Sequence, residues 1–137
     1  MNQSSNEENN KQTLHSVGGD QWFVDLVERF YDGVASDPIL RPMYPEYLTD
    51  SKNWLTLFLQ QYWGGGRDYE GLRGHPQLRM RHMPFAIGAA ESDAWLSHMT
   101  KAVMAGGLPV ELEESVLAYF ASAAEHMINK NETGLIL

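Results

Sequence analysis

Apolar side chains recur at steps of three and four along four stretches of this chain, the spacing of one buried helix face. In the first stretch Phe23, Leu26, Val27, Phe30, Tyr31 and Val34 share a face. Gly18-Gly19-Asp20 precedes them as a turn and an N-cap, and Asp37-Pro38 ends the helix because a residue before proline is pushed out of helical geometry. Three prolines between Pro38 and Pro45 then allow at most one helical turn, so this segment reads as a compact corner. Thr49 or Asp50 is expected to cap the second helix, whose face carries Ser51, Leu55, Phe58, Leu59 and Tyr62 and which stops at Gly64-Gly65-Gly66. A third helix is expected from about Gly88 to Ala105, with Ser92, Trp95, Leu96, Met99 and Val103 in phase. The fourth starts at Pro109, a favoured first-turn residue, with Glu111, Glu113 and Glu114 at its positive dipole end. Leu112, Val116, Phe120, Ala123 and Met127 form its apolar face. No segment alternates at period two, so the fold class is all-α.

Two stretches break the pattern. Residues 1–13 are polar with almost nothing to bury and read as a disordered tail. Residues 64–80 are rich in Gly, Arg and Asp without a sustained period, and a loop of that length in a small domain usually carries function or is disordered. At 137 residues the chain is expected to form one domain. Cysteine is absent, which excludes disulfides, thiol nucleophiles and cysteine-ligated metal sites. A formal net charge of −8 argues against phosphate-backbone binding, so no nucleic acid is expected as a partner. No apolar run approaches the roughly 20 residues of a membrane span, and the polar start lacks the build of a secretory signal. No membrane partner is therefore expected, and the expected compartment is the cytoplasm.

Little catalytic chemistry survives inspection. The Gly64–Gly66 run lacks the following Lys-Ser/Thr pair of a phosphate loop, and no G-x-S-x-G elbow occurs. The five histidines, His15, His75, His82, His98 and His126, include no pair at i, i+3 or i+4 and no H-E-x-x-H. What remains is Arg79-Met80-Arg81-His82-Met83-Pro84-Phe85, in which methionines flank a histidine and Pro84 fixes the chain just beyond it. A lone histidine in apolar company suits a hydrogen-bonded core position. It also suits haem iron, which needs one protein ligand and commonly takes a neutral imidazole. Tyr31 and Trp95 on two apolar helix faces, with Tyr44 in the proline corner, add polar tips to the same picture.

Five strings carry a specific resemblance: Arg29-Phe30-Tyr31; Leu40-Arg41-Pro42-Met43-Tyr44-Pro45; Phe58-Leu59-Gln60-Gln61-Tyr62-Trp63-Gly64-Gly65; Arg73-Gly74-His75-Pro76-Gln77-Leu78-Arg79-Met80-Arg81-His82-Met83-Pro84-Phe85; and Asp93-Ala94-Trp95-Leu96. In order and spacing they resemble the truncated haemoglobins of group II. The resemblance covers about residues 14–130 and leaves a polar tail before and a short tail, 131–137, after. It implies a two-over-two helical sandwich around haem b, with an extended loop largely replacing the family's F helix. His82 matches the proximal iron ligand. Tyr31, Tyr44 and Trp95 match the polar groups of the distal pocket. Ser51 falls where longer globins carry a distal histidine, and Leu55 shields the ligand one turn on. Phe58, Leu59 and Phe85 match positions against the haem. Trp54 replaces the basic residue that related chains direct at a propionate, leaving His75, Arg79 and Arg81 for that role.

The resemblance implies reversible binding of O₂ and other diatomic gases at a five-coordinate haem, with slow O₂ release. It leaves open a redox role, as a nitric oxide dioxygenase or a peroxidase-like enzyme. The sequence carries no dinucleotide fingerprint, so turnover of that kind would need a separate reductase as partner. A homodimer is also left open.

Overall fold

The computed structural model describes residues 3–63 and 87–128, with side chains described from residue 19 onward. Among them are four α-helices, one 3-10 turn and no strand. Helix α1 runs Gln3–Ala35, α2 Thr49–Tyr62, α3 Ala89–Met104 and α4 Val110–His126, with the turn at Arg41–Met43. Helices α1 and α2 pack as one pair and α3 and α4 as another; α1 lies against α3 and joins the pairs. None of the described helices is long and apolar enough to cross a membrane.

Helix α1 bends at Gly19, whose φ of 62° lies in the left-handed region that side chains with a Cβ avoid. The turn expected at Gly18-Gly19 is therefore a kink between two helical segments. Helical backbone continues before it as far as Gln3, through residues whose composition suggests disorder. Glutamine, glutamate and lysine are good helix formers and no proline interrupts them, so polarity alone did not argue against helical backbone there. After the kink, Phe23, Leu26, Val27, Phe30, Tyr31 and Val34 are all buried, as their spacing predicts.

Two helix starts differ in detail from expectation. The N-cap of α2 is Leu48, with Thr49 and Asp50 already helical and no side-chain cap bond formed. Asp50 instead sits in the first turn, where the helix dipole favours a carboxylate. Pro109 is the N-cap of α4 rather than a first-turn residue, and its carbonyl accepts the Glu113 N–H at 2.9 Å. Helix α3 begins after Gly88, whose N–H donates to the Glu91 carboxylate at 3.4 Å. The loop expected over residues 64–80 lies outside the described residues.

Rings bind the helices together. Trp63 stacks on Phe23 at 6.2 Å and meets Tyr119 edge-on at 4.8 Å, and Tyr62 stacks on Tyr119 at 4.3 Å. Phe120 lies 5.7 Å from Trp63 and 5.8 Å from Trp95, and Trp95 meets Phe30 at 5.4 Å. These contacts connect α1, the end of α2, α3 and α4 in one network. Between α3 and α4 the buried Ser92 hydroxyl donates to the Ala124 carbonyl at 2.9 Å.

Helix α3 reaches α1 closely at Gly33. A Cβ placed there would collide with the His98 ring, with Cε1 at 2.9 Å. Gly33→Ala should therefore lower stability by about 1–3 kcal/mol through overpacking, despite the better helix propensity of alanine. Thermal unfolding measures this; an unchanged or raised midpoint would show that His98 moves aside freely.

Candidate functional site

Where the two helical pairs face each other, they enclose a cavity of about 560 Å³. Its walls are mainly apolar: Leu40 and Met43 from the corner, Leu55, Phe58 and Leu59 from α2, Ile87, and Phe120, Ala123 and Met127 from α4. Into this lining project Tyr31 of α1, Tyr44 just past the 3-10 turn, Ser51 of α2 and Trp95 of α3. All seven described residues expected at the site, Tyr31, Tyr44, Ser51, Leu55, Phe58, Leu59 and Trp95, thus line one space.

The polar members are linked. Tyr44 is hydrogen-bonded to both Trp95 and Tyr31, and Tyr31 to Ser51. An indole N–H can only donate, so the Tyr44 oxygen accepts from Trp95. Tyr31 also bonds Tyr44 and Ser51, hydroxyl pairs in which either partner can donate. Tyr31 and Tyr44 also meet edge-on with ring centroids 5.5 Å apart. Burial pushes the Tyr44 phenol up to about 12, against the lowering effect of its bonds to Trp95 and Tyr31. Burial, followed by the neighbouring Tyr44, raises Tyr31 further. Both phenols therefore remain protonated, and able to donate, at any pH near neutrality.

The backbone that presents Tyr44 is held by Arg41. Its guanidinium donates to the carbonyls of Tyr44 at 3.3 Å, Pro45 at 2.9 Å and Glu46 at 2.6 Å, so three acceptors of an irregular corner are met by one side chain. Sequence reasoning did not single out Arg41, since nothing in its spacing distinguishes it from a surface arginine. It also did not nominate Tyr119, Glu91 or Ile87, which line the cavity, and it read Ser92, Phe120, Ala123 and Met127 as core. Trp54, the departure that left the propionate role to His75, Arg79 and Arg81, lines the same cavity. Tyr62, which periodicity places on the apolar face of α2, packs on Trp63 and Tyr119. His82, His75, Arg79, Arg81 and Phe85 lie outside the described residues.

A volume of this size falls within the roughly 300–1,000 Å³ of cofactor and small-ligand sites. Broad, mainly apolar walls that include a linked set of donors suit a flat, largely apolar ring system that holds a small polar ligand. That donor set fits the haem implied by the sequence resemblance. No histidine is among the residues lining the cavity that are described.

Comparison with known proteins agrees with this architecture. The family model for bacterial-like globins matches residues 13–129. The group 2 truncated hemoglobin YjbI of Bacillus subtilis is 41% identical over 114 residues, which are 83% of this chain and 86% of that protein. The crystal structure of a thermostable hemoglobin from Thermobifida fusca superposes with a TM-score of 0.81 at 54% identity, over 82% of this chain and 93% of the other. A truncated haemoglobin of known structure from Bacillus subtilis, described as oxygen-avid, gives 0.79 at 40% identity over 84% and 98%. With a family model spanning most of its length and these relatives on either side, the chain belongs to the bacterial-like globins, among the group II truncated haemoglobins.

Proposed function

We propose that the protein binds O₂ and other diatomic gases reversibly at a five-coordinate haem b and releases O₂ slowly. The observation that carries this reading is the convergence of Tyr31, Tyr44, Trp95 and Ser51, linked to one another, on one mainly apolar cavity. Haem, when bound, supplies an iron with one open position for a diatomic ligand. His82, by its match to the family's proximal position, would hold the iron, and the apolar side chains of α2 and α4 would grip the ring. Leu55 and Phe58 would exclude water from the ligand's surroundings.

The protein's own contribution is a set of positioned protons. A diatomic ligand that gains negative charge on binding is stabilised by donors aimed at it, and donors fixed before binding do this without reorganisation. Tyr31, Tyr44 and Trp95 each bring a donor to the cavity, and their mutual bonds hold the three groups in place. The oxygen-avid description of the Bacillus subtilis relative supports slow release as the outcome.

The test is spectroscopic and then kinetic. The purified protein, or the protein given hemin, should show an intense band near ~400 nm. Stopped-flow displacement of O₂ should then give slow dissociation. A colourless protein that refuses hemin would overturn the reading, and rapid O₂ loss would overturn its distal half.

A further inference from the structure

Three side chains fix how α3 lies on α1. Trp22 donates its indole N–H to the Gly106 carbonyl just beyond α3, at 3.0 Å, and Arg29 donates Nε–H to the Ala102 carbonyl, also at 3.0 Å. One further turn along α3, His98 Nε2 stands 2.7 Å from Asp37 Oδ2. The other carboxylate oxygen of Asp37 accepts the N–H groups of Ile39 at 2.7 Å and Leu40 at 3.2 Å. Asp37 thus ties the start of the corner to a helix 61 residues away.

This pair differs from a loose surface contact. The two side chains are 21% and 15% exposed, and the His98 ring is seated against Gly33, where no larger residue fits. Its hydrogen bond to His98, more than the two backbone bonds, holds the Asp37 carboxyl below its ordinary range. On one side of the pair, the corner is stiffened by the three bonds of Arg41, so it moves as a unit and carries Tyr44 with it. On the other side, Trp95 stands one helical turn before His98 on the same helix.

We propose that Asp37 and His98 are positioning residues for the cavity, holding the corner that presents Tyr44 against the helix that presents Trp95 and so setting the indole-to-phenol hydrogen bond. The inference rests on the gas-binding reading for its effect on ligand release, while the bond itself can be read without it.

Two variants that both fill the space over Gly33 separate the roles. His98→Gln keeps an N–H near the position of Nε2, and His98→Leu does not. The first readout is the indole N–H resonance of Trp95 in the full chain, assigned by its loss in Trp95→Phe. The second is O₂ release from the haem-loaded protein. His98→Leu should shift the resonance and speed release about three- to tenfold, as expected when a hydrogen bond is weakened. His98→Gln should restore both. An unmoved resonance in His98→Leu, or equal shifts in both variants, would overturn the proposal. So would a shifted resonance with unchanged release, because the pair would then not act on the site. If no variant or parent binds hemin, the gas-binding reading fails, and the resonance alone still decides whether the pair sets the bond.

Discussion

Replacing Tyr31 and Trp95 together by phenylalanine is expected to speed O₂ release by two or more powers of ten. Hydrogen bonds to a charged group are worth about 1.5–3 kcal/mol each, and about 1.4 kcal/mol corresponds to a factor of ten. The double change removes two protons from the cavity and leaves Tyr44 without the two bonds that orient it. Volume is nearly kept at Tyr31, so the packing of that ring on Phe30 at 5.0 Å survives and the comparison reports on the proton. Single changes should not add up to the double. In Tyr44→Phe, the donors of Tyr31 and Trp95 remain in the cavity, so the loss is smaller than that of the double variant. Stopped-flow displacement of O₂ by CO measures all of these. A double variant that releases O₂ at the parent rate would mean that the network does not face the ligand.

His82→Ala is expected to weaken haem retention more than about a hundredfold, beyond the range seen when outer partners of a metal ligand are removed. The expectation comes from the match of His82 to the proximal position in an R-H-M-P-F setting, where Pro84 restricts the chain next to the imidazole. The cavity walls of α2 and α4 would still offer apolar contact, so residual weak binding of the ring is expected and tight binding is not. Size-exclusion chromatography after loading with hemin, read as the ratio of haem to protein absorbance, gives the result. Free imidazole should partly restore retention, since it replaces the missing ligand without the tether. Undiminished retention in His82→Ala would assign the iron to another residue.

Much of this was legible in the chain itself. Helix periodicity located the four described helices because their apolar faces are continuous, and the corner holds the single turn that its prolines allow. Tyr31, Ser51, Leu55 and Trp95 could be assigned to one cavity because family motifs fix their spacing, which periodicity alone does not. Helix starts were less legible. Leu48 caps α2 with no side-chain bond, so the capping preference of Thr49 and Asp50 pointed one or two residues too far. Arg41, Asp37 and His98 were invisible for a different reason. Arg41 meets backbone carbonyls and His98 a residue distant in sequence, which no local pattern encodes. The local turn that Asp37 makes with Ile39 and Leu40 does not reveal its long-range partner.

The ring network around Trp63, Tyr119 and Phe120 has a consequence for how the cavity takes its occupant. Aromatic side chains have only two torsions each, and rings wedged edge to face lose most of that freedom when the chain folds. The ordering cost of this wall is therefore met during folding. A ring system entering the cavity need not order it again, which leaves more of its contact energy to appear as affinity.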